Sequence, residues 1–486
     1  MSYNKYNVVL KATSFFGGVQ GLNIVLNIIR TKIVAVLLGP EGVGLNGIYN
    51  EARETLHGTT NLGLDVSGVR GISLAYEELH AAQSVTERES LRKRLSDEVA
   101  LLRSWVVLLA LFGTLLCMLF AAPLSFFTFG DYNHTLAYVL LSPAVGFSTV
   151  VCGELAVLKG LRQLKWIASL SVLKVVAGLV VTLPIYYVWG IDGVLAALVA
   201  LFFVCMLLAF YYGSKAEKFR VIFTKRELRK GHKMLSIGFN FVVCNIIAHL
   251  SLLGIQAYLN NVASLEIVGL YNSGYSLTMT YAGMVLSAID MDYFPRLTGV
   301  ITDCKERADT LLKQMDVVAM LATPLCVGVT VSLPVLVPLL LDGRFETVIP
   351  MAQAATVGLL FRAIYLPNAY MSLAAGDNKT FLAINTVGAV DILLVLVGYH
   401  YYGLTGMGVA LTVQNAIDML IVLGVSKWKY GVRFTWARAY ALSVYAVMLC
   451  LTYVMCSVLT GWQYWVAGTV VTLLAALYSY KKYKEG

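Results

Sequence analysis

Three arginines lie near the middle of long apolar stretches of this 486-residue chain: Arg30, Arg53 and Arg362. A charge within a hydrocarbon-spanning segment costs free energy, so it marks a cavity, a partner or a ligand. Arg30 precedes Gly39, and Arg53 follows Gly44, by similar spans of sequence. At 1.5 Å rise per residue, each sits about 13 Å below the turn that joins their helices. Arg362 is central in its own stretch. Guanidinium groups at one depth in a wet cavity suit a phosphate-type anion, which accepts forked hydrogen bonds. The alternative is neutralisation, because Glu54 lies at nearly the depth of Arg30.

The stretch carrying Arg53 is the most polar. Asn50, Glu54, His57, Asn61 and Asp65 recur on one helical face. Such a face lines water or a polar seam between helices, not lipid. A second polar run carries Asn240, His249 and Asn272. His57, Asn61, Asn240, His249 and Asn272 are therefore read as cavity lining. Asp65, Glu154 and Asp391 are the candidates for proton or sodium coupling, each with a structural alternative as a salt bridge or cap. For Glu154 the structural alternative is preferred: it precedes the turn 159–165 that Lys174 follows, so the two are expected to pair within one helical hairpin.

Membrane helices must position these groups. The composition is 58% hydrophobic and 13% charged, with mean hydropathy +0.73, whereas soluble chains are about 25% charged. Disorder, a secreted disulfide scaffold and nucleic-acid binding are excluded. Fourteen stretches between residues 10 and 480 are long and apolar enough to cross a bilayer at ~20 residues each. With the N-terminus inside, 30 of the 37 Lys and Arg fall on the cytoplasmic side and only Arg344 on the other. That bias sets an even number of spans and two cytoplasmic termini. It also accounts for the net charge of +9, which favours anionic headgroups at that face.

The eight cysteines form no C-x-x-C pair and read as small buried hydrophobes. No Walker A, H-E-x-x-H or G-x-S-x-G sequence is present, so neither an ATPase nor a hydrolase is expected. Asp290-x-Asp292 has the form of a glycosyltransferase metal motif. Loops of about 20 residues leave no nucleotide-binding domain to use it, so no metal and no cofactor are expected.

Two echoes indicate an internal repeat. Val43-Gly44-Leu45 matches Val268-Gly269-Leu270, and Gly190 and Gly193 match Gly403 and Gly406. Both echoes pair span n with span n+6, which preserves orientation and implies a parallel repeat about the membrane normal. The expected domains are a six-helix lobe over 1–213, a basic linker over 214–233, a second six-helix lobe over 234–426, and two further helices with a tail over 427–486.

An ordered series of motifs resembles the Wzx-type polysaccharide flippases of the multidrug/oligosaccharidyl-lipid/polysaccharide exporter superfamily. It comprises "RTKIVAVLLGPEGVGLNGIYN" (30–50), "NLGLDVSGVRGISLAYEE" (61–78), "LKGLRQLKWIA" (158–168), "DYFPRL" (292–297) and "YYGLTGMGVAL" (401–411). Within that family, the branch handling enterobacterial common antigen lipid intermediates is the most similar. The resemblance implies an all-α, V-shaped, two-lobe membrane protein with a cationic cavity. It implies transport of an undecaprenyl-diphosphate-linked oligosaccharide across the bacterial inner membrane, beside other polysaccharide-assembly proteins. Arg30, before Ile33-Val34-Ala35, and Arg362, before Ala369-Tyr370, occupy positions where relatives carry cavity cations. Two other functions compete. A drug or cation antiporter predicts an anionic cavity. A membrane glycosyltransferase or polymerase predicts a large outer loop or a catalytic constellation.

Overall fold

Helices satisfy every backbone hydrogen bond internally, which hydrocarbon demands. The computed structural model describes residues 3–82, 84–224, 239–282, 293–387 and 391–485, and the described residues are mostly helical with no strand. Asp290 and Asp292 lie outside the described residues. Contacts divide the chain into two units, Met1–Leu265 and Glu266–Gly486. Nine described segments are long and apolar enough to cross a membrane; 164–216 holds two of the fourteen expected spans, and 21–60 and 392–428 each cover parts of two. The protein is an integral, multi-pass, all-helical membrane protein.

The first unit begins with α1 (Tyr3–Thr60), which breaks at Gly39, φ 66°. Pro40 follows and has no N–H to continue the ladder. Next come α2 (Leu64–Ala81), α3 (Val85–Leu119), α4 (Ala121–Phe129), α5 (Thr135–Gly160), α6 (Leu164–Trp189), α7 (Val194–Ala216) and α8 (Phe239–Val262). The polar face expected to run unbroken from Asn50 to Asp65 stops at Asn61. Leu62 and Gly63 both take positive φ and separate α1 from α2. The Asp65 side chain lies outside the described residues.

Packing in this unit centres on α5, which touches α2, α3 and α7, while α1 packs on α6 and α8. The α8 helix, expected to open the second lobe, makes its contacts with α1 and α4. Asn260 and Asn261 donate to the carbonyls of Thr128 and Phe127 at the end of α4, at 2.9 and 3.1 Å.

The second unit contains α9 (Leu265–Tyr275), followed by a π-helical turn over Ser276–Ala282. Then come α10 (Tyr293–Gly299), α11 (Cys304–Leu340), α12 (Ile349–Ala374), α13 (Asn378–Val387), α14 (Asp391–Trp428), α15 (Trp436–Val458) and α16 (Gly461–Glu485). Its core is α12 against α14. A Cβ on Gly408 would lie 2.2 Å from the Met351 carbonyl oxygen, so only glycine allows that approach. Both C-terminal helices pack on α11, where Tyr464 donates to the Val331 carbonyl at 2.8 Å. At the loop after α12, Lys429 and Tyr430 hydrogen-bond the Asp377 carboxylate. The Lys429 ammonium holds that carboxyl well below the usual range.

The glycines paired in the sequence repeat behave alike. Gly190, between α6 and α7, has φ 54° and ψ −131°. Gly403, inside α14, has φ 59° and ψ −146°. Positive φ is open to glycine at little cost, which explains why the same residue stands at both joints.

Candidate functional site

The second half of α1 carries the polar face, and α5 and α8 flank it. Together they enclose a cavity of about 170 Å³ lined by Glu54, His57, Asn61, Cys152, Asn245 and His249, with Gly58, Gly63 and Val242. At ~30 Å³ per water, that volume holds a small cluster of waters or one polar group of a ligand. Every lining residue belongs to the first unit.

Arg53 is 2% exposed. Its guanidinium donates to Ser148 Oγ at 2.6 Å, to Asn50 Oδ1 at 3.1 Å and to the Glu54 carboxylate. It also stacks over the Phe202 ring, 3.7 Å from the centroid. Arg53 is thus fixed by its own helix, by α5 and by α7. It holds Glu54 in place on the cavity wall, while its Nε finds no hydrogen-bond partner among the described residues. His57 Nδ1 lies 3.2 Å from Thr149 Oγ1 of α5, and Asn61 donates to Cys152 Sγ at 3.5 Å. His249 Nδ1 meets Glu51 Oε1 at 2.6 Å, which ties α8 to α1 across the cavity mouth.

The ion pairs differ from one sequence expectation and from one alternative. Glu54 pairs with Arg53, not with Arg30. Glu154 pairs with Arg103, not with Lys174: both guanidinium–carboxylate contacts are 2.8 Å, and Arg103 also donates to the carbonyls of Glu217 and Lys218 at 2.9 Å. The pair is buried, with Arg103 at 1% and Glu154 at 2% exposure. Glu154 occupies a slot above Gly213, where an added Cβ would lie 1.8 Å from its carboxylate. The pair ties α5 to α3 and to the end of α7.

Arg30 packs on α6, with its guanidinium 3.1 Å from where a Cβ on Gly178 would stand. Arg362, on α12, and Asn272, on α9, belong to the second unit. Asp418 of α14 lies within electrostatic range of Arg362. The side chains of Asn240 and Asp391 lie outside the described residues. Among the described residues, no group of three His, Cys, Asp or Glu side chains could hold a metal ion.

Sequence reasoning missed Glu51, Ser148, Thr149, Phe202 and Arg103. Glu51 had a signal: it lies one turn before Thr55 and two before Gly58, on the flank of the polar face. Arg103 also had one, as a lone charge at the head of the apolar run of α3.

The profile of the polysaccharide biosynthesis protein family matches residues 9–300, more than half of the chain. No curated protein matches the sequence. Among solved structures, an inward-facing multidrug resistance MATE family transporter of the MOP superfamily has a TM-score of 0.67 at 13% identity, over 87% of this chain and 96% of that one. The lipid II flippase MurJ, in an inward closed conformation, has a TM-score of 0.65 at 16% identity, over 97% and 98%. An outward-facing MATE transporter gives 0.58 at 13% identity, over 89% and 96%. At these identities the likeness concerns the fold. The chain has the two-unit helical fold of these transporters, and by its sequence over residues 9–300 it belongs to the polysaccharide biosynthesis protein family.

Proposed function

We propose that the protein is a flippase for a polyprenyl-diphosphate-linked oligosaccharide. It moves the glycolipid from the cytoplasmic to the outer leaflet of a bacterial inner membrane by alternating access. The observation that carries this reading is the polar, arginine-bearing interior of the first unit. It lies within a fold that also serves a lipid II flippase, in a chain of the polysaccharide biosynthesis family. A diphosphate with attached sugars cannot cross hydrocarbon unaided. A polar cavity lined by imidazole and amide groups, with arginines packed behind it, lowers that barrier, while the lipid tail stays in the bilayer. No covalent step is required of the chain.

The finer reading is an undecaprenyl diphosphate carrier lipid bearing an O-antigen, common antigen or capsule repeat unit, with the common-antigen branch first. Proton or sodium exchange supplies the driving force in this reading. Mass spectrometry of lipids from cells depleted of the protein tests the function. An undecaprenyl-diphosphate oligosaccharide is expected to accumulate, and an unchanged lipid profile would contradict the reading. The competing drug or cation antiporter is favoured by one feature, the Glu54 carboxylate on the cavity wall. It predicts cation-dependent drug efflux and no glycolipid accumulation.

Orientation follows from the charge bias. Both termini are placed in the cytoplasm, with residue 131 outside and residue 222 inside. Single cysteines at Asp131 and Ile222, in a chain lacking the exposed Cys304 and Cys450, are expected to react with an impermeant maleimide from opposite sides. Reaction of both from one side would overturn the topology.

A further inference from the structure

Three carboxylates within the first unit are paired: Glu51 with His249, Glu54 with Arg53 and Glu154 with Arg103. Two cations on the seam between α1 and α6 have no such partner among the described residues, Arg30 and Lys174. The seam runs in parallel register. Asn23 donates to Ser171 Oγ at 2.8 Å, and Arg30 packs on Gly178, a step of seven residues on each helix. Lys174 falls between Ser171 and Gly178. Residues three and four apart share a helix face, so Lys174 stands on the face that Arg30 touches, about 6 Å along the axis from Gly178. It lies ten residues into α6, about 15 Å deep and near the middle of a ~30 Å hydrocarbon core. Both side chains also lie within electrostatic range of Cys205 on α7. Two uncompensated cations at that depth repel each other and call for an anion.

We propose that Arg30 and Lys174 together form an anion site on the α1–α6 seam, and that its ligand is the diphosphate of a polyprenyl lipid. The assignment rests on the flippase reading. It makes Lys174 a binding residue, a role the expected pairing with Glu154 had hidden. Arg53, by contrast, is bonded to Ser148, Asn50 and Glu54 and positions the cavity wall. Arg30 supplies the planar fork and Lys174 a point charge, so each can engage a different phosphate of one diphosphate.

Native mass spectrometry of the purified full chain tests the proposal, with undecaprenyl diphosphate or phosphatidylglycerol added as the probe. Wild type is expected to bind undecaprenyl diphosphate in preference to phosphatidylglycerol. Lys174→Gln and Arg30→Gln should each weaken that binding about tenfold or more, and Lys174→Arg should retain most of it. Ligand-free Lys174→Gln should melt no lower than wild type, because removing one of two like charges relieves repulsion. The rise in Tm on adding undecaprenyl diphosphate should disappear in that variant. A Lys174→Gln protein that fails to fold would assign the residue a structural role and overturn the site. Undecaprenyl diphosphate binding that neither substitution weakens would also overturn the site while leaving the flippase reading intact. Binding of phosphatidylglycerol alone, lost in Lys174→Gln, would overturn the substrate assignment and weaken the flippase reading with it.

Discussion

Arg103→Ala is expected to lower stability by about 3–5 kcal/mol, the cost of leaving a buried charge without its partner. The Glu154 carboxylate would remain under α3, α5 and α7 with neither guanidinium bond, pressed onto the Gly213 backbone. The carbonyls of Glu217 and Lys218, which Arg103 satisfies at the end of α7, would lose their donor as well. A large drop in Tm and in the monodisperse fraction after detergent extraction should result. Arg103→Met combined with Glu154→Met should recover much of the loss, because apolar residues of similar volume often replace a buried pair at little cost. Lys174→Ala, which breaks no ion pair among the described residues, should leave Tm near the wild-type value. Equal Tm values for Arg103→Ala and wild type would contradict the buried pair.

The second large effect concerns the two arginines of α1, whose contacts differ: Arg53 is bonded to Ser148 and Glu54, and Arg30 packs on Gly178. Arg30→Ala is expected to cut glycolipid export about ten- to a hundredfold through lost charge-assisted bonds, and Arg30→Lys less severely. Adding Glu54→Ala to Arg30→Ala should restore nothing, because the Glu54 partner is Arg53. Arg53→Ala should also abolish export, but for another reason: it strands the Glu54 carboxylate and empties the contacts to Ser148 and Phe202. In that background Glu54→Gln should restore part of the activity, since it removes the uncompensated charge. Surface glycan, normalised to protein level, is the measurement. Rescue of Arg30→Ala by Glu54→Ala would show that Arg30 merely neutralises a carboxylate.

Much of the fold was legible in the chain because membrane helices advertise themselves by length and apolarity. Gly39, Gly190 and Gly403 were readable as joints, and each takes a positive φ where one expected span gives way to the next. The break at Asn61–Gly63 was not readable. Thr59 and Thr60 continue the helix by bonding back to the Thr55 and Leu56 carbonyls, and nothing in the apolar pattern marks the stop. Within the site, the polar face of α1 was legible by periodicity, and His57, Asn61 and His249 do meet at one cavity. Partner choice was not legible. Glu154 and Lys174 are close in sequence across a short turn, but lateral packing places Glu154 against α3 and α7. There a more distant arginine offers two parallel bonds and lysine offers at most one. Sequence distance ranks partners within a hairpin. It cannot rank them across a bundle.

The most direct measurement is transport itself. The purified chain is reconstituted into vesicles whose inner and outer leaflets carry a fluorescent undecaprenyl-diphosphate oligosaccharide, and leaflet exchange is followed by a membrane-impermeant quencher. Wild-type protein is expected to bring the inner pool within reach of the quencher. Arg30→Ala should leave that pool protected at equal protein incorporation. An inner pool that stays protected with wild-type protein, in vesicles given a proton or sodium gradient, would contradict the flippase account.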